Sequence, residues 1–101
     1  MQAELFADRV ALAALCRRHH IRRLSLFGSV LRGTAGPDSD VDLLVEFEPG
    51  RSPGLLGVAG IEAEFSALIG GRRVDLRTAQ DLSPLFRGDV VSTAEVQYAA
   101  R

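Results

Sequence analysis

The chain has 101 residues, which is the size of one ordinary domain. With 47% hydrophobic and 25% charged residues, it has the composition of a globular protein, so disorder is excluded as the default state. Its twelve basic and thirteen acidic residues give a formal net charge of −1. Dedicated nucleic-acid binders usually carry a basic excess, so we expect no direct contact with nucleic acid.

Residue usage excludes further kinds of chemistry. All twelve basic residues are arginines, so neither a lysine Schiff base nor a P-loop lysine is available. The single cysteine, Cys16, excludes an intramolecular disulfide and a cysteine-based zinc cluster. No apolar run approaches the roughly 18 residues of a membrane span, and the acidic, amphipathic N-terminus is unlike a secretory signal. We therefore expect a cytoplasmic protein made of one domain, residues 1–101, with no membrane partner.

The predicted elements of the first third alternate between helix and strand. An alanine- and leucine-rich segment predicts a helix over residues 3–20. Alternating polar and apolar residues predict a strand over Arg23–Phe27, which ends at Gly28. Ser29 is then expected to cap a short helix, Val30–Arg32, before a turn-rich stretch.

The same alternation continues toward the C-terminus. Val41–Phe47 is aliphatic and bounded by turn residues, which predicts a second strand. Apolar residues at offsets of three and four predict an amphipathic helix around residues 58–68. Arg73–Arg77 alternates strictly and predicts a third strand, and Ser83 followed by proline predicts the start of a last helix that runs to about Ala99. The predicted order is αβαβαβα, with three strands.

Three groups of residues could carry chemistry. Gly28 and Ser29 lie where a strand turns into a helix, and they suit either a phosphate or a plain tight turn. Asp40 and Asp42 share one face of the second strand, where they could bridge Mg²⁺ ions or simply form an acidic turn. Asp75 has apolar neighbours in the third strand and needs a partner, either in a metal site or in a cross-strand salt-bridge ladder with Arg73 and Arg77.

Together, these groups resemble the DNA polymerase β-like nucleotidyltransferase superfamily. The matching segments are LFGSVLRG at 26–33, DSDVDLLV at 38–45, RVDL at 73–76 and LSP at 82–84, so the resemblance covers nearly the whole chain. In size and local sequence the chain is similar to the minimal nucleotidyltransferases, small prokaryotic partners of HEPN-domain proteins. The resemblance implies an α+β fold of the polymerase β palm type, with a small mixed sheet of about three strands flanked by helices.

The resemblance also implies a role for each candidate residue. Gly28 and Ser29 would hold the triphosphate of a nucleoside triphosphate, with ATP as the substrate. Asp40, Asp42 and Asp75 would be the catalytic residues and would ligate the metal, for which two Mg²⁺ ions are expected and Mn²⁺ is an alternative. Asp75 would also help to draw the proton from the acceptor hydroxyl. This agrees with the general chemistry of metal-assisted displacement at phosphorus.

The activity implied is that of a protein adenylyltransferase antitoxin. It would transfer AMP from ATP to a hydroxyl, with tyrosine the expected acceptor, of a cognate HEPN toxin held in a hetero-oligomer. Two alternatives stay open at this point. The chain could neutralise a HEPN toxin by contact without catalysis, or it could transfer a nucleotide to a small molecule.

Overall fold

The computed structural model describes residues 5–36 and 38–100, so residues 3 and 4 of the first predicted helix lie outside the described residues. The rest of that prediction was too long, because the helix begins at Arg9, where the Asp8 side chain caps it, and ends at Arg18. None of the helices in this part of the chain is long and apolar enough to cross a lipid bilayer. A short 3-10 turn spans Ala79–Asp81. The elements are α1 Arg9–Arg18, β1 Ile21–Phe27, α2 Gly28–Arg32, β2 Val41–Phe47, α3 Leu55–Leu68, β3 Val74–Arg77, α4 Pro84–Thr93 and β4 Glu95–Ala99.

The four strands form one mixed sheet in the order β3-β2-β1-β4. β1 is antiparallel to both of its neighbours, β2 and β4, whereas β2 and β3 run parallel. The parallel pair is joined through α3, as a parallel connection requires a crossover. The predicted α+β fold with a small mixed sheet is therefore confirmed.

The hydrophobic core lies between one face of the sheet and helices α1 and α3. In β2, the buried residues Val41, Leu43 and Val45 alternate with residues that point to the opposite face. Phe6 and Phe65 are fully buried, and their rings meet edge to face with centroids 5.8 Å apart. The polar positions of the central strands therefore lie on the face opposite the core, which we call the open face.

The C-terminal segment differs from the sequence-based prediction. The last helix, expected to run to about Ala99, ends at Thr93, and Glu95–Ala99 forms β4, so the sheet has four strands instead of three. The alanines of this segment favour a helix locally. Pairing with β1 instead gives its backbone long-range partners, such as the hydrogen bond that the Ala100 N–H donates to the Arg22 carbonyl. Tertiary pairing thus overrides local propensity here.

The turn after β1 also differs in detail. α2 begins at Gly28, Phe27 occupies the capping position, and no side chain caps the helix, so the prediction that Ser29 is the cap was wrong. Gly28 has a φ of +78°, a left-handed conformation that glycine adopts without steric penalty. The turn from β1 into α2 therefore depends on the backbone conformation of Gly28 and not on a side-chain cap. The Ser29 carbonyl accepts a hydrogen bond from the Thr34 N–H beyond the far end of α2.

Candidate active site

Two of the candidate carboxylates are neighbours across the parallel strand pair. Asp42 in β2 and Asp75 in β3 are register partners, and adjacent strands lie about 4.8 Å apart. The residues that flank Asp42, Val41 and Leu43, are buried in the core. Because successive side chains of a strand point to opposite faces, both carboxylates lie on the open face.

Gly28 lies directly beside this carboxylate pair. Its predecessor, Phe27, is the antiparallel register partner of Asp42. A β-carbon at position 28 would fall 2.9 Å from the Cγ atom of Asp42 and closer still to its Oδ2 atom. The absence of a side chain at Gly28 therefore leaves the space that the Asp42 carboxylate occupies.

The surroundings of Asp42 disfavour the charged form of its carboxyl group. Its pKa is raised above the ordinary value, first by burial and then by the negative charges of Asp75 and Asp40. The positive charges of Arg77 and Arg32 act in the opposite direction and do not reverse the shift. Perturbed pKa values with such a combination of burial and charged neighbours cluster at functional sites.

Asp40 lies just before β2, and two consecutive arginines hold the backbone and side chain around it. Nη1 of Arg73 is 3.8 Å from Oδ1 of Asp40. Nη2 of Arg72 donates a hydrogen bond of 3.3 Å to the carbonyl of Ser39, the residue before Asp40. The Val41 N–H donates a hydrogen bond of 2.8 Å to the Arg73 carbonyl. The segment before β3 therefore fixes the backbone on both sides of Asp40.

Asp75 has a close partner within its own strand. Nε of Arg77 donates a hydrogen bond of 3.0 Å to Oδ2 of Asp75. The two residues are separated by two positions and so share the open face. The hydrogen bond and the charge of Asp75 both raise the pKa of Arg77, which stays charged. A flanking arginine therefore does contact Asp75, but within β3 and not in the cross-strand ladder that was one of the two alternatives.

The donor chemistry of these three aspartates fits a divalent cation. Carboxylate oxygens are the ligands that Mg²⁺ prefers, and Asp42 and Asp75 are adjacent. In residues 5–36 and 38–100, however, no group of three or more His, Cys, Asp or Glu side chains is assembled as a metal-binding cluster. Asp75 and Asp40 are instead engaged by arginines. The described side chains thus form a site whose negative charge is partly balanced by guanidinium groups.

A cavity of about 490 Å³ lies beside β2 on the open face, and the nearest of its lining residues to Asp42 in the strand is Leu44. Its floor includes Leu44, two residues after Asp42, and Ser25 of β1. Val91 and Val96, of α4 and β4, form part of its wall. Sequence analysis did not find this cavity, because β4 was taken for a helix.

Arg72 and Arg77 were not among the predicted site residues either. The sequence held a signal for Arg77, which alternates with Asp75 along the strand. It held none for Arg72, whose contact with Ser39 joins residues 33 positions apart.

Comparison with known families places this geometry in a class. Residues 9–96 match the family described as nucleotidyltransferase domain. The match includes the turn at Gly28 and all three aspartates on and around the β2–β3 pair. The chain therefore belongs to the nucleotidyltransferase domain family and is a nucleotidyltransferase.

Two proteins with names that refer to protein adenylyltransferases are similar to the chain in sequence. The chain is 47% identical over 62 residues to the protein adenylyltransferase MntA of Thermococcus cleftensis, an alignment that covers 61% of this chain and 60% of that protein. It is 34% identical over 77 residues to a protein of Methanocaldococcus jannaschii whose name proposes a protein adenylyltransferase. That alignment covers 76% of this chain and 80% of the relative.

Solved structures give a consistent result for the fold. One, described as a proposed minimal nucleotidyltransferase, superimposes with a TM-score of 0.69 at 44% identity and covers 87% of each chain. A crystal structure of a toxin–antitoxin with AMP-PNP has a TM-score of 0.71 at 19% identity, covering 93% of this chain and 75% of that chain. At this low identity the second likeness concerns the fold alone.

Proposed function

We propose that this chain, acting as a single domain, is a magnesium-dependent protein adenylyltransferase and the antitoxin of a HEPN toxin. It transfers AMP from ATP to a tyrosine hydroxyl of the toxin, with which it forms a hetero-oligomer. The observation that carries the proposal is the pairing of Asp42 with Asp75 beside the side-chain-free Gly28. The names of the two adenylyltransferase relatives and the toxin–antitoxin structure with AMP-PNP support it.

Each residue has a distinct task in this proposal. Gly28 and Ser29 bind the triphosphate, because a glycine at this turn lets the phosphates approach the backbone. Asp40, Asp42 and Asp75 would hold two Mg²⁺ ions, or Mn²⁺. These ions would supply charge neutralisation of the phosphate oxygens and of the leaving diphosphate. The carboxylate of Asp75 would also accept the proton of the acceptor hydroxyl.

The reaction balances without a further co-reactant. The acceptor oxygen forms a bond to the α-phosphorus of ATP while the bond between the α-phosphorus and the bridging oxygen breaks. Diphosphate leaves, and the hydroxyl proton passes to Asp75 and then to water. Positioning and electrostatic stabilisation supply most of the acceleration in such a transfer.

The test is intact-mass spectrometry of this chain and its cognate HEPN toxin after incubation with ATP and Mg²⁺. We expect the toxin to gain one or more AMP units, and the gain to disappear in the Asp40→Asn/Asp42→Asn variant. Peptide mapping then identifies the modified residue. A double variant that still adds AMP at the wild-type rate would show that the site is elsewhere.

Neutralisation by contact alone is the second candidate, and the exposed apolar residues of α4 favour it. Leu85 and Phe86 are 86% and 62% exposed. The same double variant distinguishes the two candidates in a toxin-neutralisation assay. If it neutralises the toxin as well as the wild-type chain does, binding is sufficient and catalysis is dispensable.

A further inference from the structure

Helix α4 is an apolar helix that the described chain hardly covers. None of its ten residues is buried. Leu85, Phe86 and Val91 are each more than half exposed, and so is Val96 in the adjoining strand β4. We call these four residues the α4 surface. Large apolar side chains grouped on one helix and the next strand are typical of a protein–protein contact.

Polar contacts, and not apolar burial, hold α4 in place. The guanidinium group of Arg87 donates hydrogen bonds to the carbonyls of Ala79, Gln80 and Leu82, the shortest of 2.7 Å. Ser83 caps the helix by accepting a hydrogen bond from the Leu85 N–H. The helix is therefore fixed on its polar side, and this leaves its large apolar residues facing outward.

Other parts of the sheet are less suited to receive a partner. The face opposite the open face is covered by α1 and α3. On the β3 edge, the Leu76 N–H donates a 2.7 Å hydrogen bond to Oε2 of Glu62. On the β4 edge, Arg9 donates a hydrogen bond to the Gln97 carbonyl. Side chains occupy backbone groups on both edges, which disfavours the addition of a strand from another chain.

The α4 surface and the strand that carries Asp42 line one cavity. Val91 and Val96 line the cavity of about 490 Å³, and so does Leu44, which lies two residues from Asp42 on the same strand face. Two residues of a strand span about 7 Å. A side chain that enters the cavity from α4 can therefore reach the neighbourhood of Asp42 and Asp75.

We propose that the α4 surface is the docking site of the acceptor protein, a partner that presents an apolar patch beside its acceptor hydroxyl. The aromatic side chain that carries the hydroxyl passes through the cavity, between Leu44 and Val96, to the Asp42–Asp75 pair. The inference rests on the proposed function, because it identifies the occupant as the protein that receives AMP. A tyrosine suits this route, since its ring is apolar and its far end is a hydroxyl.

The first experiment measures acceptor binding and AMP transfer with a matched pair of variants. Leu85→Asp/Phe86→Asp places two charges on the α4 surface. Val10→Asp places one on α1, where Val10 is 78% exposed. We expect the α4 variant to raise the dissociation constant for the cognate HEPN protein at least tenfold, whereas Val10→Asp should leave that constant unchanged. Both variants should bind ATP with wild-type affinity. Circular dichroism and thermal unfolding establish that both variants fold.

A crosslinking experiment gives a second readout that does not depend on weakening the complex. Cys16 is fully buried, so a cysteine introduced at position 86 or 10 can be labelled selectively with benzophenone maleimide. We expect the Phe86→Cys probe to crosslink to the HEPN protein on illumination, and the Val10→Cys probe not to do so.

Each outcome decides between occupants. Wild-type binding by the α4 variant, or the absence of any complex with the wild-type chain, overturns the proposal. The proposal is also overturned if the α4 variant changes only the affinity for ATP, because the cavity would then bind the nucleoside part of ATP. Dissociation of a homodimer by the variant without loss of acceptor binding would assign the surface to a second copy. A complex that the variant weakens but that transfers no AMP would leave the docking site standing and refute the adenylyltransferase function.

Discussion

The Asp42 carboxylate occupies the space that a side chain at Gly28 would need. The virtual β-carbon at position 28 lies 2.9 Å from the Cγ atom of Asp42. Gly33, at the other end of α2, has nearly the same φ, +76° against +78°, but has no atom within 4 Å of its own virtual β-carbon. A substitution at Gly33 therefore introduces backbone strain alone, whereas one at Gly28 introduces the same strain and a clash with Asp42.

We predict that Gly28→Ala is more damaging than Gly33→Ala. Gly33→Ala should lower the free energy of unfolding by about 1–2 kcal/mol, the cost of a left-handed alanine. Gly28→Ala should cost about 1–3 kcal/mol more, because it also displaces the Asp42 carboxylate, and AMP transfer should be lost. Urea denaturation and the transfer assay measure both effects. Equal losses for the two variants would mean that Asp42 moves aside freely.

The raised pKa of Asp42 predicts a pH-dependent cost of folding. The folded state binds this proton more tightly than the unfolded state, so ionisation of Asp42 destabilises the fold as the pH rises above 3.8. The cost is fully present above the folded-state pKa. Without Mg²⁺, the free energy of unfolding of Asp42→Asn relative to wild type should therefore increase between about pH 4 and pH 7. A flat difference would contradict this prediction.

Asp81 provides a control of opposite sign. Its carboxylate accepts hydrogen bonds from the backbone N–H and the hydroxyl of Thr78, and these bonds lower its pKa. Its contribution to stability is present above pH 3.8 and is lost as the pH falls through the lowered pKa. Asp81→Asn should therefore destabilise the protein at pH 7 by about 1 kcal/mol. The effect should fade in acid, which denaturation at several pH values would detect.

Arg77 is predicted to compete with a divalent ion at Asp75. Its Nε hydrogen bond to Oδ2 ties up an oxygen that a metal would use. Arg77→Gln removes about 1 kcal/mol of repulsion between the guanidinium group and the divalent ion. Mn²⁺ should therefore bind about fivefold more tightly to the variant. Electron paramagnetic resonance of free Mn²⁺ measures this directly. Arg73→Gln is the control, because the Arg73 side chain is 82% exposed and 3.8 Å from Asp40. Weaker Mn²⁺ binding by Arg77→Gln would mean that Arg77 organises the site.

Cys16 is predicted to be inert in the folded protein. Burial raises the pKa of its thiol to about 12, against smaller opposing effects of Arg17 and Arg9. The thiolate that would react is therefore scarce at neutral pH. Iodoacetamide should therefore label Cys16 mainly through unfolding of the protein. We expect the labelling rate in native buffer to be roughly a hundredfold or more below the rate in urea. Rapid labelling in native buffer would mean that the α1 region opens readily.

Local signals were sufficient for some elements and insufficient for others. The bounds of β2 were predicted as they are, because turn residues lie at both of its ends. β4 was missed although Glu95–Ala99 alternates, since its hydrogen-bond partners in β1 are about 70 positions away in the chain. A two-residue period places Asp42 and Asp75 on strand faces. It does not show that they are partners, which depends on the long-range register of β2 and β3.

The same limit applies to the contacts around the carboxylates. The alternation of Arg77 with Asp75 indicated that they share a face, and the structure shows that they form a hydrogen bond with each other. The contact of Arg72 with Ser39 joins distant segments, so no local pattern could indicate it.

The strict alternation of β2 and β3 ties chemistry to packing. In β2, Val41, Leu43 and Val45 enter the core while Asp42 faces outward, and in β3 Asp75 faces outward between two buried residues. Insertion or deletion of one residue within either strand would send the carboxylate inward and an aliphatic side chain outward at the same moment. A change in chain length that keeps both carboxylates on the open face must therefore fall in the loops.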